Sequence, residues 1–377
     1  MLALSIVAGT GLALAAACLV STVVRRFPRG RLSRPEDSPP FAATSTEEDG
    51  IHCPLRSVQH QFWTRPQWKY VQLSQGRVRY ILRSPAEGAQ SSGPVVVLVH
   101  GFSIAADIWK QQSDALVAAG RTMLCFDNYG RGWSDAPATD ATDWGESLYV
   151  GQLAELLFAL RIAQPIDLVG VSMGGAIVSA FTAVHPSAVR RLVLVCPAGL
   201  HIVTPPSLRR MLSLPFGIGE WMFRKAAEQM QARGAAAQWE DKDSDAYRAW
   251  GLFAQQNIRT HPAFLRTLHQ TVLRFPMEDQ RHNFRALARQ GDKLPVLILW
   301  GERDGLTPYA NAAELVQILA PNEAQLLTIV DAKHNMLIER PKPINEALIH
   351  FLAPDDDAVP RMPARAHTTL WDQEDAK

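Results

Sequence analysis

Continuous apolar runs recur through the middle of the chain and predict buried β-strands. The runs are PVVVLVH (94–100), TMLCFD (122–127), IDLVGVS (166–172), RRLVLVCP (190–197), PVLILWG (295–301) and QLLTIV (325–330). Strands that are apolar on both faces are typical of parallel sheets covered on both sides. Helical patterns such as ESLYVGQLAELLFALRI lie between most of these runs. The alternation predicts an α/β fold, with a mostly parallel sheet and helices on both of its faces.

Two segments depart from this alternation. KYVQLSQGRVRYILRS contains two β-rich runs around a Gln-Gly turn, so it predicts a hairpin where the folded domain begins, near Gln67. Residues 200–293 have helical patterns but no convincing strand. We therefore predict a helical cap at 200–293, inserted between two parts of one core, 67–199 and 294–353.

The two ends of the chain have patterns of their own. Residues 2–24 carry no charge, and a helix of this length crosses the apolar interior of a bilayer, so we predict a transmembrane anchor at 1–24. Residues 25–66 are basic and then rich in Pro, Ser, Thr and acids, which is typical of a flexible tether. Residues 354–377 are polar and acidic, and we expect a disordered tail there.

Charge around the apolar N-terminus predicts its orientation. No basic side chain precedes the apolar run, whereas several follow it closely: Arg25, Arg26, Arg29, Arg31 and Arg34. Basic residues stay on the cytoplasmic side of a span, so the folded domain should face the cytosol from a single-pass membrane anchor. A secretory signal starts with positive residues. Even so, ALAAAC leaves open a cleaved leader, with a mitochondrial or secreted protein as its product.

Composition narrows the range of partners. Hydrophobic residues make up 47% of the 377 residues, which is enough for a large core, and the net charge is only +1. The basic cluster adjoins the apolar segment rather than aromatic residues, so we expect a membrane partner and no nucleic acid. The spacing of the cysteines predicts neither a metal site nor a disulfide framework. They are Cys18, Cys53, Cys125 and Cys196.

A serine between glycines carries the clearest chemical signal. The segment Gly170-Val171-Ser172-Met173-Gly174 matches G-x-S-x-G, in which a nucleophile lies on a strained turn between a strand and a helix. Such a turn lifts the hydroxyl above the carboxyl ends of the strands, and the first amides of the helix face any anion that forms there. We therefore predict that Ser172 is a catalytic nucleophile.

A serine nucleophile needs a base and an acid that orients the base. His334, in DAKHNM, follows the last predicted strand, where a loop can bring it over Ser172. Asp304, in GERDG, follows the strand PVLILWG and is our predicted acid. Glu302 is its nearest rival, but Glu302 lies closer to the end of the strand.

An oxyanion hole needs two backbone amides where negative charge develops. The amide of Phe102 follows the His100-Gly101 turn in LVHGFS, and the amide of Met173 follows the nucleophile, so we predict these two donors. His100 ends a strand, and we expect it to brace the loop rather than to act as a base.

Several motifs together resemble the α/β-hydrolase superfamily. HGFS, DNYGRGWSD (127–135), GVSMGG, GERD and KHNMLIERP occur in that family's order, and the likeness covers roughly residues 67–353. The chain order Ser172, Asp304, His334 is also the order of the family's triad. LVGVSMGG and LVLVCPAGL are similar to segments of membrane-anchored monoacylglycerol lipases, which also carry a single N-terminal span.

The resemblance implies a serine hydrolase that cleaves carboxylic esters through an acyl-enzyme on Ser172, without a cofactor or metal. Lipid esters such as monoacylglycerols are the expected substrates. Three alternatives stay open: a carbon-carbon bond hydrolase, a peptidase of the same fold, and a catalytically silent scaffold. The carbon-carbon hydrolases share SMGG and GRGWSD, but they often carry a Trp shortly after the catalytic His, and HNMLIER has none.

Large apolar side chains are frequent in the predicted cap, and some of them are expected to line an acyl tunnel. Trp221, Phe223, Trp250, Phe253 and Phe264 are the predicted substrate-binding residues, and Met222, Met230 and Leu268 add to the same surface.

Overall fold

A computed structural model describes residues 67–85, 92–138, 142–202, 206–261, 263–354 and 361–366 of the chain. The predicted anchor at 1–24 and the predicted tether at 25–66 lie outside these residues. Within them, no helix combines the length and apolar character that a bilayer crossing requires.

Nine strands of the described residues form one sheet. They are β1 (Lys69–Leu73), β2 (Gly76–Arg83), β3 (Val96–Val99), β4 (Met123–Phe126), β5 (Ile166–Val171), β6 (Val189–Val195), β7 (Val296–Gly301), β8 (Gln325–Ile329) and β9 (Arg365–Ala366). Their order across the sheet is β1-β2-β4-β3-β5-β6-β7-β8-β9. The predicted hairpin is confirmed as β1 and β2. The β1/β2 and β2/β4 pairs are antiparallel, and every other pair is parallel.

Helices cover the sheet and form the cap. Those of the described residues are α1 (Lys110–Ala118), α2 (Glu146–Ala159), α3 (Met173–Val184), α4 (Pro206–Leu212), α5 (Ile218–Ala237), α6 (Asp245–Thr260), α7 (Phe264–Arg274), α8 (Arg281–Ala288), α9 (Ala310–Ile318), α10 (Met336–Glu339) and α11 (Pro341–Phe351). Helix α1 packs against α11, whereas α2 and α8 pack against α3. Strands β3, β4, β5 and β7 are buried along their whole length, which accounts for their continuous apolar sequences.

The chain leaves the core for the cap at Gly199 and returns to the core beside the same residue. The Gly199 amide donates to the Met277 carbonyl at 2.8 Å, and the Gln280 amide donates to the Gly199 carbonyl at 2.7 Å. The next helix, α8, buries Phe284 and Leu287 and belongs to the layer around α3. The predicted cap boundary at 293 is therefore too far along the chain. An amphipathic pattern shows that a helix has an apolar face, but not which surface covers it.

The predicted disordered tail contains a short strand. Strand β9 pairs in parallel with β8 at the edge of the sheet. The Thr328 amide donates to the Ala364 carbonyl at 2.9 Å, and the Val330 amide donates to the Ala366 carbonyl at 2.8 Å. The expectation of disorder is thus wrong for residues 361–366, because the exposed backbone of β8 binds a segment too short to have a pattern of its own. Residues 355–360 and 367–377 lie outside the described part of the chain.

The order of the strands changes direction between β3 and β5. The chain passes from β3 to β4 on one side, and from β5 to β6 on the other. In open α/β sheets, ligands bind at such a switch point, outside the carboxyl ends of the strands. Phe102 follows β3 and Ser172 follows β5, so both lie at this point.

Candidate active site

Ser172 lies on a sharp turn between β5 and α3. Its backbone has φ 55° and ψ −121°, a conformation that residues other than glycine rarely adopt. The Ser172 amide donates to the Val195 carbonyl at 2.9 Å, and the Ala198 amide donates to the Ser172 carbonyl at 2.9 Å. These bonds to β6 and to the loop after it hold the strained turn in place.

The glycines around Ser172 allow the turn to pack tightly. A Cβ atom on Gly174 would lie 2.2 Å from the Val99 carbonyl oxygen, and one on Gly170 would lie 2.4 Å from the Gly174 carbonyl oxygen. Both contacts are with backbone, which cannot rotate away. The spacing in G-x-S-x-G is therefore a steric requirement of this turn.

The Gly174→Ala variant should be strongly destabilised. The added methyl group would force α3 away from β3, and we expect the free energy of unfolding to fall by about 3 kcal/mol or more. Gly151→Ala is the matched control, because a Cβ there has no neighbour within 4 Å and Gly151 lies inside helix α2. Denaturant titration of both variants should show loss for Gly174→Ala and a small gain for Gly151→Ala. Equal stability of the two would contradict the steric account.

Asp304 and His334 form a direct hydrogen bond. Asp304 follows β7 and His334 follows β8, and the His334 Nδ1–H donates to the Asp304 Oδ2 at 2.6 Å. The Asp304 carboxylate is fully buried, and the His334 side chain is 10% exposed. With Nδ1 fixed in this way, Nε2 is the nitrogen left for proton transfer. The strands β5, β6, β7 and β8 are adjacent and parallel. Ser172, Asp304 and His334 therefore all lie at the carboxyl ends of these strands.

Asp304 is held as a carboxylate by its surroundings. Burial opposes its ionisation, but the His334 ring and several donors outweigh burial and keep the pKa of Asp304 below its ordinary value. The Leu306 and Thr307 amides donate to Oδ1 at 2.8 and 3.0 Å, and the Thr307 hydroxyl donates to Oδ2 at 2.9 Å. An acid that stays ionised stabilises a charged imidazole beside it.

The rival acid Glu302 has different partners. Its side chain accepts the Asp331 amide at 3.1 Å and forms an ion pair with Arg365 of β9 at 2.5 Å. Glu302 thus connects the segment after β7 to the segment after β8 and to β9, whereas Asp304 contacts the predicted base.

The loop after β3 approaches Ser172 closely. A Cβ on Gly101 would lie 3.2 Å from the Ser172 Cβ, so the backbone of this loop passes directly beside the nucleophile. The next amide is that of Phe102. Met173 is the first residue of α3, where amides have no partner within the helix. The role of these two amides as oxyanion donors remains a prediction that this geometry suits.

His100 braces the same loop from inside the core. Its Nδ1–H donates to the Gly101 carbonyl at 2.8 Å, and its Nε2 accepts the Asn128 amide at 2.9 Å. Burial lowers the pKa of His100 to about 4, so the ring is neutral at physiological pH. With both ring nitrogens occupied, His100 serves as a support, as the sequence predicted.

Arg131 is a site residue that the sequence pattern did not identify, although it lies in DNYGRGWSD. Its fully buried guanidinium donates to the Phe102 carbonyl at 3.0 Å, the Tyr149 hydroxyl at 2.9 Å and the Thr271 hydroxyl at 2.8 Å. Burial lowers the pKa of Arg131, but an arginine keeps its charge in proteins. It therefore joins the loop after β3 to α2 and to the cap helix α7, and it brings a positive charge close to the predicted oxyanion hole.

Cys196 lies beside the Asp304–His334 pair. One ligand atom from each of the three residues lies within 4.8 Å of the others, a spacing that a metal ion could bridge. Burial, together with the nearby Asp304 charge, raises the pKa of Cys196 well above its ordinary value. A thiol that keeps its proton is a poor metal ligand. The chemistry of the group therefore favours a thiol packed against the carboxylate over a metal centre.

Comparisons with known proteins identify the family of the fold. A family model described as the alpha/beta hydrolase fold matches residues 94–341. The chain belongs to the α/β-hydrolase family. The matched segment includes the turn at Ser172, the Asp304–His334 pair and the cap between them.

This α/β-hydrolase has relatives among both sequences and structures. Monoacylglycerol lipase ABHD6 from Bos taurus is 26% identical over 310 residues, which cover 79% of this chain and 87% of that protein. An esterase from Exiguobacterium antarcticum matches with a TM-score of 0.60 at 20% identity, covering 74% of this chain and 97% of that one. A meta-cleavage product hydrolase from Pseudomonas fluorescens IP01 matches with a TM-score of 0.56 at 18% identity, covering 78% of this chain and 98% of that one. The two structures show a shared fold.

The predicted substrate-binding residues of the hydrolase fall into three places. Phe264 is buried with Leu265 and Leu268 on α7, and Phe223 of α5 and Phe102 pack against this group, so these side chains adjoin the predicted oxyanion loop.

The other predicted binding residues lie farther from that group. Trp250 and Phe253 of α6 make an edge-to-face contact with ring centroids 5.2 Å apart, and the Phe253 ring lies 6.1 Å from the Trp133 ring of the core. This packing fixes the cap to the core. Trp221 is 50% exposed on the cap surface. The side chain of Met230 lies outside the described part of the structure. Phe223 and Phe264 are thus the best-placed of the predicted set.

The connection between α5 and α6 is fastened to the loop that carries His334. The Lys333 ammonium donates to the Trp239 carbonyl at 2.9 Å, and the Asn335 side chain donates to the Gln238 carbonyl at 3.1 Å. These two donors flank His334 in the sequence. Movement of this part of the cap would therefore act directly on the predicted base.

Glu339 and Arg340 strengthen the same connection. The Glu339 carboxylate accepts the amides of Glu240 and Asp241 at 2.9 and 3.1 Å, and Arg340 pairs with the Glu240 side chain at 2.6 Å. Burial raises the pKa of Glu339 to about 7, and the Glu240 charge adds to the rise against the opposing amides and Lys333.

The Glu339→Gln variant should change how stability depends on pH. The folded protein keeps the Glu339 proton up to a pH of about 7, whereas the unfolded chain loses it near the ordinary value. Stability contributed by this group is thus present at low pH and is lost as the pH rises towards 7. We expect the melting temperature of the wild type to fall relative to Glu339→Gln between about pH 5 and pH 7.5. A difference in melting temperature between the two proteins that stays constant across this pH range would contradict the raised pKa.

Proposed function

We propose that this α/β-hydrolase is a serine hydrolase that cleaves carboxylic esters of lipids, such as monoacylglycerols, through an acyl-enzyme on Ser172. The observation that carries the proposal is the strained turn at Ser172 after β5, together with the 2.6 Å Asp304–His334 hydrogen bond after β7 and β8, at the carboxyl ends of parallel strands in one sheet. A nucleophile, a base and an orienting acid in this arrangement suit acyl transfer.

Acylation would begin with His334. Its Nε2 takes the Ser172 hydroxyl proton while Oγ bonds to the ester carbonyl carbon, and Asp304 stabilises the imidazolium that forms. The negative oxygen of the tetrahedral intermediate accepts hydrogen bonds from the Phe102 and Met173 amides. Breaking of the ester C–O bond then releases the alcohol, which takes its proton from His334.

Deacylation would repeat these steps with water. His334 removes a proton from water, the oxygen of that water bonds to the acyl carbon, and the bond between the acyl carbon and the Ser172 Oγ breaks as the proton returns to Oγ. The products are a carboxylic acid and the free enzyme. Every proton moves through His334, so the scheme needs no other titrating group.

A lipid substrate is supported by two separate features. Phe264 and Leu268 are buried in an apolar group against which Phe102 and Phe223 pack, and we propose that an acyl chain lies along this group. The relative monoacylglycerol lipase ABHD6 from Bos taurus is 26% identical to this chain. We also propose the membrane anchor at 1–24, with the catalytic domain facing the cytosol, from the sequence pattern.

A panel of esters tests the substrate class. Each buried CH₂ group contributes about 0.8 kcal/mol, so four extra methylenes against the Phe223 and Phe264 group should raise kcat/KM by roughly 200-fold. We expect oleoyl and octanoyl glycerol to be hydrolysed well above acetyl esters, and Phe223→Ala to narrow the difference. A preference for acetyl esters would rule out the lipid proposal, and turnover of peptides or of carbon-carbon substrates in place of esters would favour the alternative reactions.

A further inference from the structure

Large apolar side chains are exposed together at one corner of the cap. Leu214, Phe216, Ile218 and Trp221 are 44%, 71%, 37% and 50% exposed. They lie around the turn between α4 and α5, and we call residues 214–221 the cap corner. Exposure of four such side chains in one short segment is costly in water, and contiguous apolar patches of this kind mark interaction surfaces.

The backbone of the cap corner is also strained. Phe216 has φ 59°, in the left-handed region that favours glycine, and its ring points into solvent. This conformation costs free energy for a large side chain, and the exposed Phe216 ring gains no burial that would offset the cost. Strain that persists in this way is characteristic of functional segments.

Positive charge surrounds the cap corner. Arg209, Arg210, Arg224 and Lys225 are exposed around it. From 206 to 227 the sequence has one acidic residue, Glu220, and this residue already faces Arg224 at 3.8 Å and Arg266 at 3.7 Å. The surface is therefore apolar at its centre and basic at its rim.

This pattern matches an anionic phospholipid surface. Apolar and aromatic side chains enter the region between headgroups and acyl chains, while arginine and lysine bind the phosphates. A second copy of the chain fits less well, because a symmetric contact would bring the same basic rim against itself.

Helix α5 leads from the cap corner to the apolar group around Phe264, against which Phe102 of the predicted oxyanion loop packs. Trp221 faces outwards from α5, whereas Phe223 on the same helix packs against this group. We propose that the cap corner docks on the surface of an anionic bilayer, with Phe216 and Trp221 inserted among the lipids. This deepens the proposed function, because it places the site beside a supply of lipid esters.

A fluorescent label tests the docking surface in the full chain. Ser213→Cys places a thiol beside the cap corner, and Ser187→Cys is the matched control, because Ser187 is exposed at the amino end of β6, away from the cap. Cys18→Ser and Cys53→Ser leave Cys125 and Cys196 as the other thiols of the sequence, and both of these are buried. A Ser172→Ala background removes turnover, so docking and ester hydrolysis are tested independently.

We expect an NBD label at 213 to brighten several-fold and shift to the blue in phosphatidylserine-containing vesicles, and to be quenched by spin-labelled lipids. The label at 187 should respond far less, although any N-terminal anchor would hold both proteins equally. Arg209→Glu with Arg210→Glu, or Phe216→Ser with Trp221→Ser, should reduce the response to that of phosphatidylcholine vesicles. Equal responses at 213 and 187, or a response that follows protein concentration without lipid, would overturn the proposal.

Discussion

The Ser172→Ala variant should lose ester turnover by at least about 10⁴-fold, because the nucleophile, the base and the oxyanion donors act as a unit. The fold should survive, since the backbone bonds of Ser172 to Val195 and Ala198 do not involve the hydroxyl. Ser103→Ala is the matched control, because Ser103 is an exposed hydroxyl next to Phe102. We expect that control to keep near wild-type turnover of a monoacylglycerol. Near wild-type turnover by Ser172→Ala, with an unchanged circular dichroism spectrum, would exclude Ser172 as the nucleophile.

The Asp304→Asn variant should have the second-largest effect. An amide in place of the carboxylate can offer its NH₂ to His334 and so favour the wrong tautomer, and the charge that stabilises the imidazolium is lost. A fall in kcat of about 10⁴-fold is expected from this change.

Glu302→Gln provides the comparison for Asp304. Glu302 lies two residues earlier but contacts Asp331 and Arg365 at the sheet edge instead of His334. Turnover of this variant should stay near that of the wild type, with at most a small loss of stability. A large fall in kcat for Glu302→Gln, with Asp304→Asn active, would transfer the role of the acid to Glu302.

Much of the fold could be predicted from the sequence because its central strands are buried on both faces. Such strands are continuously apolar, and all six runs became strands β3 to β8 within a few residues of the predicted ends. Strand β9 was missed because two residues, Arg365 and Ala366, have no periodicity, and their structure depends on the neighbouring edge of β8.

The candidate site divides in the same way. Ser172 could be predicted because its requirements are local: a strand, a turn with close glycines and a helix. His334 and Asp304 could be predicted from their places after strands, since neighbouring parallel strands end at one edge. Arg131 and Glu339 depend on contacts with distant segments, with Thr271 and with the amides of 240–241. No local pattern encodes such contacts.

The cap is the part in which sequence pattern and position diverge most. Its predicted substrate-binding residues all lie in helices. Even so, Phe264 lies beside the predicted oxyanion loop, Phe253 packs on Trp133, and Trp221 faces solvent. Helical periodicity gives the direction of a side chain relative to its own helix. The crossing of that helix with its neighbours decides what the side chain meets.

The most direct test of the acyl-enzyme proposal is mass spectrometry of the chain after reaction with a fluorophosphonate, which bonds to activated serines and mimics the tetrahedral intermediate. We predict one phosphonyl group per chain, located on the peptide that contains Ser172, and little labelling of the His334→Ala variant under the same conditions. An unmodified Ser172 in a protein that hydrolyses esters, or a phosphonyl group on a different residue, would contradict the account.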